Sequence, residues 1–206
     1  MSSPVLWYAT RATGITALVL LSATMVLGAI TGGRRPTWSW PGFAQQRFHR
    51  NLSLLTLLFV AGHVLTSVVD TYVDVGWPSV AVPFLSPYRR LAVAVGTIGL
   101  DLLVAVIVSS LLRHRMSART WRTLHWLVYP CWIVAVLHAI AIGTDTATPW
   151  VLALIAVCIV VVTGAVLWRV VREVRATGRS RALLAGAVPA RMRRKRLGKV
   201  SVEASS

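Results

Sequence analysis

Apolar residues run through this chain in five long blocks, and short polar segments separate the blocks. The blocks lie at about residues 6–30, 49–69, 91–112, 122–142 and 150–171. Each is about 21 to 25 residues long, enough for an α-helix to cross a hydrocarbon layer about 30 Å thick. The pattern therefore predicts an all-α fold, a polytopic bundle of about five transmembrane helices in a lipid bilayer.

Turn-forming and interfacial residues mark the connections between the blocks. Segment 31–48 is rich in glycine, proline, arginine and tryptophan, which predicts a turn along the membrane interface. Segment 70–90 is the longest connection, and we expect it to cap one face of the bundle. Residues 1–171 are thus expected to form one membrane domain. Residues 172–206 are predicted to be a basic cytoplasmic tail, largely disordered, because they lack a long apolar period.

The composition excludes an ordinary soluble domain. Hydrophobic residues make up 56% of the chain, charged residues only 14%, and the mean hydropathy is +0.68. The net charge of +16 would suit a nucleic-acid ligand, but the basic residues lie beside apolar runs, so membrane topology explains them and no nucleic-acid partner is expected. Cys131 and Cys158 lie inside apolar blocks without metal-binding spacing, and we interpret them as packing residues.

The distribution of basic residues predicts the orientation. Most of the 22 lysines and arginines lie before the second span, before the fourth span or from Arg169 onward, and five spans place these three regions on one side. The positive-inside rule then predicts a multi-pass plasma-membrane protein with its C-terminus in the cytoplasm and its N-terminus outside.

Four histidines lie within two of the predicted spans. His49 and His63 are fourteen positions apart in the second span, and His125 and His138 are thirteen apart in the fourth, so about 20 Å of helix separates the members of each pair. Because both spans run in the same direction, His49 and His125 share the inner level, and His63 and His138 share the outer level. One such histidine alone is best explained as a hydrogen-bonded buried side chain. Four at two matched depths indicate metal ligation, with haem iron expected.

The two spacings differ in their rotation about the helix axis. At about 100° per residue, fourteen steps bring His49 and His63 within about 40° of one face, whereas thirteen steps leave His125 and His138 about 140° apart. Pro130 lies between the second two and removes a backbone hydrogen bond. We therefore predict a kink or altered winding in the fourth span.

Charged residues near these levels are further candidates. Arg47, Arg50 and Arg122 lie where the propionates of an inner haem would emerge, and Arg11 lies near the outer level. Snorkelling to lipid headgroups is the alternative role for each. Asp101, near the middle of the third span, is expected to pair with a hydroxyl or an arginine, and proton handling is the alternative.

The histidine segments resemble the ferric reductase-like transmembrane domain family, whose members include NADPH oxidases and the haem subunits of bacterial methionine sulfoxide reductases. The run WRTLHWLVYPCWIVAVLH is similar to the second ligand helix of bacterial members. The runs WYATRATGITALVLL and QRFHRNLSLL are similar to small actinobacterial members. The resemblance covers about residues 5 to 170. It implies that His49 with His125 hold an inner haem b, and that His63 with His138 hold an outer one.

The sequence departs from eukaryotic family members, which carry six spans followed by FAD and NADPH domains. No glycine-rich dinucleotide fingerprint follows a strand in this chain. We therefore expect a transmembrane b-type cytochrome that relays single electrons and exchanges them with a separate flavoprotein or with quinone. A quinol-linked cytochrome b anchor subunit, similar to the b561 type, is one alternative. A haem-free membrane scaffold, with histidines that serve only helix packing, is another.

Overall fold

The computed structural model describes residues 4–32, 41–70, 73–143 and 148–186. These residues form helices and loops without any strand, which confirms the predicted all-α class. Five helical segments are long and apolar enough to span a membrane, as predicted. The helices are α1 (Pro4–Thr31), α2 (Gly42–Val69), α3 (Arg90–Leu111), α4 (Ala118–His125), α5 (Val128–Ile142) and α6 (Pro149–Gly186), with short 3₁₀ turns at Trp77–Val80 and Arg113–Arg115.

The helices pack in two close pairs. The chain divides into two compact units, residues 1–165 and residues 166–206, and the histidine helices belong to the first. In that unit α1 packs along α2, α3 packs along α5, and α1 also contacts α5. The paired histidines are carried by α2 on one side and by α4 and α5 on the other, and α2 does not pack closely against either of these two helices over the part of the chain that the structure describes.

Hydrogen bonds between polar side chains tie these helices together inside the apolar core. Trp132 of α5 donates its indole N–H to the hydroxyl of Ser22 in α1 at 2.9 Å, and both residues are buried. The buried hydroxyls of Thr24 and Thr56 lie 3.2 Å apart between α1 and α2. Since hydrocarbon offers no alternative partner, such bonds favour one relative position of the packed helices.

The fourth span is broken, as Pro130 predicts. It consists of α4 and α5, separated by a turn at Trp126 and Leu127. Proline lacks the N–H that would bond to the carbonyl four residues earlier, that of Trp126. The N–H of Leu127 instead bonds to the carbonyl of Leu124 at 3.0 Å, and the N–H of Tyr129 bonds to that of Trp126 at 3.1 Å.

These bonds between residues three apart give about 120° of rotation per residue, against about 100° in an α-helix. The additional rotation, about 20° for each residue involved, acts in the direction of the 140° shortfall between His125 and His138 and supplies part of it. It occurs at the position where the proline permits it.

Residues 73–89 connect α2 to α3 and lie against the bundle. The hydroxyl of Thr97 in α3 donates to the carbonyl of Ser79 at 2.5 Å. The guanidinium of Arg89 donates to the carbonyl of Ala141 at 3.3 Å, one of the last carbonyls of α5, which lack partners within the helix. This part of the predicted capping connection thus covers the end of the bundle where α3 begins and α5 ends.

The fifth span extends further than the apolar block that predicts it. The helix α6 continues to Gly186, whereas we expected a disordered tail from residue 172. In the second unit, Arg169 and Glu173 form an ion pair of 3.4 Å one helical turn apart, and the guanidinium of Arg172 lies 4.7 Å from the ring centre of Trp168. Pairs at this spacing support helix where no apolar stripe continues. Residues 187–206 lie outside the described part of the chain.

We predict that Trp132→Phe lowers the free energy of unfolding by about 0.5–1.5 kcal/mol, because it removes the bond to Ser22 while keeping most of the buried ring. Trp126→Phe is the matched control, since Trp126 is 55% exposed and no described bond of its indole N–H is lost. Unfolding curves of the purified protein in detergent measure the difference. Equal destabilisation by the two substitutions would contradict a role for the α1–α5 bond.

Candidate functional site

The four histidines meet as two pairs, in the combination that the shared levels predict: His49 and His63 lie in α2, His125 ends α4, and His138 lies in α5. The ring centres of His49 and His125 lie 6.5 Å apart, with an angle of 68° between the planes. Those of His63 and His138 lie 6.2 Å apart, with an angle of 74°. All four side chains are half-buried. Two imidazole pairs of nearly equal spacing thus lie at two levels, one between α2 and α4 and the other between α2 and α5.

The spacing within each pair fits two imidazoles bound to opposite sides of one metal ion. Metal–imidazole bonds of about 2.0–2.1 Å, the value known for zinc, and about 1.1 Å from ring nitrogen to ring centre give a separation of about 6.3 Å. The rings are too far apart for a direct hydrogen bond to explain their approach. Among the described residues no cluster of three or more histidine, cysteine or acidic side chains exists, so a tetrahedral zinc site lacks its ligands. The two imidazoles of each pair could instead hold haem iron.

Backbone carbonyls orient the rings of the 63–138 pair. Nδ1 of His63 lies 2.9 Å from the carbonyl oxygen of Thr10 in α1, and Nδ1 of His138 lies 2.8 Å from that of Ala92 in α3. A carbonyl only accepts, so Nδ1 must carry the proton in both rings. In a neutral imidazole this leaves Nε2 with its lone pair free, which is the arrangement that a metal-binding histidine requires.

Glycines make room for these rings. A Cβ at Gly14 would lie 2.9 Å from Cε1 and Nδ1 of His63, and one at Gly96 would lie 2.6 Å from the same atoms of His138. Gly14 lies four residues after Thr10, and Gly96 lies four residues after Ala92, the two residues whose carbonyls accept from the rings. Because these glycines have no side chain, the rings can reach those carbonyls. Gly28 faces His49 in the same way, with a Cβ distance of 3.3 Å to Cε1.

Sequence reasoning missed the role of these glycines. A signal was present, because Gly14 and Gly28 are fourteen residues apart in α1, and His49 and His63 are fourteen apart in α2. Since α1 and α2 are antiparallel neighbours, equal spacing places a glycine opposite each histidine. No comparable spacing pointed to Gly96, because the break between α4 and α5 separates its neighbour His138 from His125.

The 49–125 pair is held differently. Nδ1 of His49 is buried and has no hydrogen-bond partner among the described residues. His125 stacks on the indole of Trp121, one turn earlier in α4, with ring centres 5.1 Å apart and planes at 22°. The guanidinium of Arg113 lies 4.6 Å from the ring centre of Trp121. An aromatic ring with a cation above it thus lies beside His125, a contact that the sequence analysis did not identify.

The four candidate arginines lie near the ends of their helices. Arg47 and Arg50 flank His49 in the first turns of α2 and are exposed. Arg122 lies one turn before His125 and lines an open cavity of about 460 Å³ together with Arg119, Thr123 and Trp126. The guanidinium of Arg11 lies 4.0 Å from the ring centre of Trp7 in α1. The first three therefore surround the 49–125 level, and Arg11 lies on the first turns of α1, towards the other level.

Three other residues with side chains capable of binding a metal or a proton lie apart from the histidine pairs. His114 is exposed in the 3₁₀ turn between α3 and α4. Cys131 is a buried free cysteine that donates its thiol to the carbonyl of Gly99 at 3.4 Å. Asp101 is exposed, and the hydroxyl or arginine partner expected for it is not found among the described residues. Its helix turns the carboxylate away from α5.

The comparisons with known proteins point to one family. The sequence model of the family described as ferric reductase like transmembrane component matches residues 13–136, a stretch that contains His49, His63 and His125. The chain is 29% identical over 150 residues to the protein-methionine-sulfoxide reductase heme-binding subunit MsrQ of Rhodospirillum rubrum. That match covers 70% of this chain and 66% of the relative, just under two thirds of its length. No solved structure matches the chain significantly.

Gly96→Ala should destabilise the protein by about 1–3 kcal/mol, because the new methyl group overlaps the ring of His138 and forces a shift. Gly164→Ala, in α6, is the control, since a Cβ there meets nothing within 4 Å. That change should be neutral or stabilise by up to about 1 kcal/mol through helix propensity. Unfolding midpoints of the two variants in detergent give the comparison, and similar values for both would contradict the close approach of His138 to α3.

Proposed function

This chain belongs to the ferric reductase-like transmembrane component family, and we propose that it is a b-type membrane cytochrome that relays single electrons through two haem groups. The observation that carries the proposal is the repeated separation of imidazole centres, 6.5 Å in one pair and 6.2 Å in the other. A heme-binding relative of this chain supports the same cofactor.

In this proposal His49 with His125 hold one haem b, and His63 with His138 hold the other. Haem, when bound, supplies reversible one-electron oxidation and reduction of its iron. The two imidazoles of each pair would hold the iron, and haem held by two histidines would supply electron transfer rather than binding of a substrate at the metal. The carbonyls of Thr10 and Ala92 hold the rings of the second pair in one tautomer, so these rings are positioned before the cofactor binds.

The region between the two levels is built to exclude water. Polar groups there are paired within the protein: the indole of Trp132 with Ser22, and the hydroxyl of Thr24 with Thr56. The surrounding side chains are leucine, valine and isoleucine in the helical blocks. Because burial raises the cost of an uncompensated charge, this environment tunes the potentials of groups held at both levels.

The basic residues support one orientation of the two levels. Arg47, Arg50, Arg113, Arg119 and Arg122 lie around or before the 49–125 level, which by the positive-inside rule favours the cytoplasmic side of the plasma membrane for that level and the outside for the N-terminus. In this orientation Arg47, Arg50 and Arg122 are the candidates to neutralise the propionates of the inner haem, and Arg11 those of the outer haem. We further propose a separate redox partner, a flavoprotein or a quinone.

We predict that the purified protein binds two haem b per chain and that His63→Ala or His138→Ala reduces the number to one. Each substitution removes one of the two axial ligands of the same site and leaves the 49–125 pair intact. His114→Ala, an exposed histidine outside the pairs, should leave the number at two. Pyridine haemochrome absorbance against protein concentration measures the ratio. Retention of two haems without His63, or absence of haem from the unaltered chain, would overturn the proposal.

A second prediction concerns the 49–125 pair. Trp121→Leu should shift the reduction potential of the haem bound there, because the ring stacked on His125 is lost, and should leave the potential at the 63–138 pair unchanged. Trp121→Phe keeps an aromatic face and should restore most of the original value. Spectroelectrochemical titration resolves the two potentials. An equal shift of both, or no shift in Trp121→Leu, would contradict a specific role for the stacking.

A further inference from the structure

The connection between α2 and α3 buries its serines and exposes its large apolar side chains. Residues 75–88, which we name the cap segment, contain no charged side chain. Ser79 and Ser86 are only 2% and 3% exposed. The large apolar side chains are 48% to 64% exposed: Trp77, Val82, Phe84 and Leu85. An exposed apolar surface of this kind indicates contact with another molecule or with a membrane.

A hydrogen bond to α3 gives the depth of the cap segment. The hydroxyl of Thr97 donates to the carbonyl of Ser79, and Thr97 lies seven residues after Arg90, where α3 begins. At 1.5 Å of rise per residue, the turn at Trp77–Val80 therefore lies about 10 Å below the start of this helix. Because α3 is long and apolar enough to span the membrane, the turn lies beside the membrane layer and not above it.

The exposure of α3 shows which of its faces the cap segment covers. Ala94, Thr97, Asp101 and Ala105 follow one another at intervals of three and four positions, so they share one face of the helix. Ala94 and Thr97 are buried, at 1% and 5% exposure, whereas Asp101 and Ala105 are exposed. Since Thr97 bonds to Ser79, the cap segment covers this face in the first turns of α3 and leaves it open further along the helix.

The covered face is directed out of the bundle. The carbonyl of Gly99 accepts the thiol hydrogen of Cys131 in α5, and Gly99 lies two residues from both Thr97 and Asp101. Two residues rotate an α-helix by about 200°, so the cap segment lies on the side of α3 opposite α5. Further along this side, α3 is open to the surrounding lipid. The exposed apolar residues of the cap segment therefore border the same lipid.

The backbone of the cap segment is suited to surroundings with little water, where N–H and C=O groups need partners. Three of its positions have no N–H because they are prolines: Pro78, Pro83 and Pro87. The N–H groups of Ser79, Ala81 and Val82 bond to carbonyls of the same turn at 3.0–3.2 Å. The carbonyl of Phe84 accepts from Nε of Arg90 at 2.6 Å.

We propose that the cap segment is inserted into the bilayer, at the boundary between headgroups and acyl chains of the leaflet where α3 begins. Tryptophan is favoured at this boundary, and Trp77 is the most exposed of the large apolar residues. Segments that lie in the interface bury their apolar face by about 5–10 Å, which agrees with the depth of the Trp77–Val80 turn. The proposal goes beyond the relay function and does not depend on haem.

Spin labels on the full chain, reconstituted into vesicles of phosphatidylcholine and phosphatidylglycerol, test the proposal. Val82→Cys and Leu85→Cys each place a nitroxide on the outward side of the cap segment, and the native cysteines are buried. Val160→Cys, in the fifth span and 69% exposed, is the lipid control. His114→Cys, in the exposed turn between α3 and α4, is the water control. Electron paramagnetic resonance measures collisions of each label with oxygen, which concentrates in lipid, and with a nickel chelate, which stays in water.

We expect the ratio of oxygen to nickel collisions at both cap positions to exceed that of His114→Cys severalfold and to lie closer to that of Val160→Cys. Circular dichroism of each labelled variant shows whether the helices are intact. A ratio equal to that of His114→Cys would place the cap segment in water. Low collision rates with both reagents would show that a polypeptide, either a partner or a second copy of this chain, covers it. Either result overturns the proposal.

Discussion

The packing of the helices satisfies one constraint, the approach of four imidazole rings across the space between α2 and the broken span formed by α4 and α5. Rings 6.2 and 6.5 Å apart require that these helices face each other without packing closely together. The remaining contacts meet this requirement. α2 lies on α1, and α4 and α5 lie on α3, so each helix that carries a paired histidine has a neighbour behind it. The supporting helices supply the carbonyls that orient two of the rings and the glycines that let the rings reach them.

The two pairs are positioned by different means. At the 63–138 level, hydrogen bonds from both rings to backbone carbonyls determine tautomer and orientation, and a helical backbone holds those carbonyls firmly. At the 49–125 level, the indole of Trp121 stacks on one ring and an arginine covers that indole. A carbonyl oxygen has two lone pairs, so the carbonyls of Thr10 and Ala92 can accept from an imidazole and keep their hydrogen bonds within the helix. The stacking at the 49–125 level depends instead on side chains near the membrane surface. The two levels are therefore of unequal construction, one positioned by backbone hydrogen bonds and the other by aromatic stacking.

Much of this arrangement can be predicted from the sequence, because membrane helices must satisfy their own backbone and therefore appear as long apolar blocks. The five spans, the pairing of His49 with His125 and of His63 with His138, and the distortion at Pro130 all follow from spacing. The stacking of Trp121 on His125 could not be predicted, since it depends on how α4 ends before the break. The outward direction of Asp101 required the packing of α3, which spacing alone does not determine. The extension of α6 beyond its apolar block depends on pairs such as Arg169 with Glu173, a weaker signal than hydropathy.

We infer that His49 with His125 would hold one haem and that His63 with His138 would hold the other. Low-temperature electron paramagnetic resonance of the oxidised protein distinguishes this arrangement from others, because the signal reports the ligands of each ferric ion separately. We expect two low-spin signals, of which one disappears in His63→Ala and the other remains. A high-spin signal from the unaltered protein, or a single low-spin signal that persists without His63 and without His125, would contradict it.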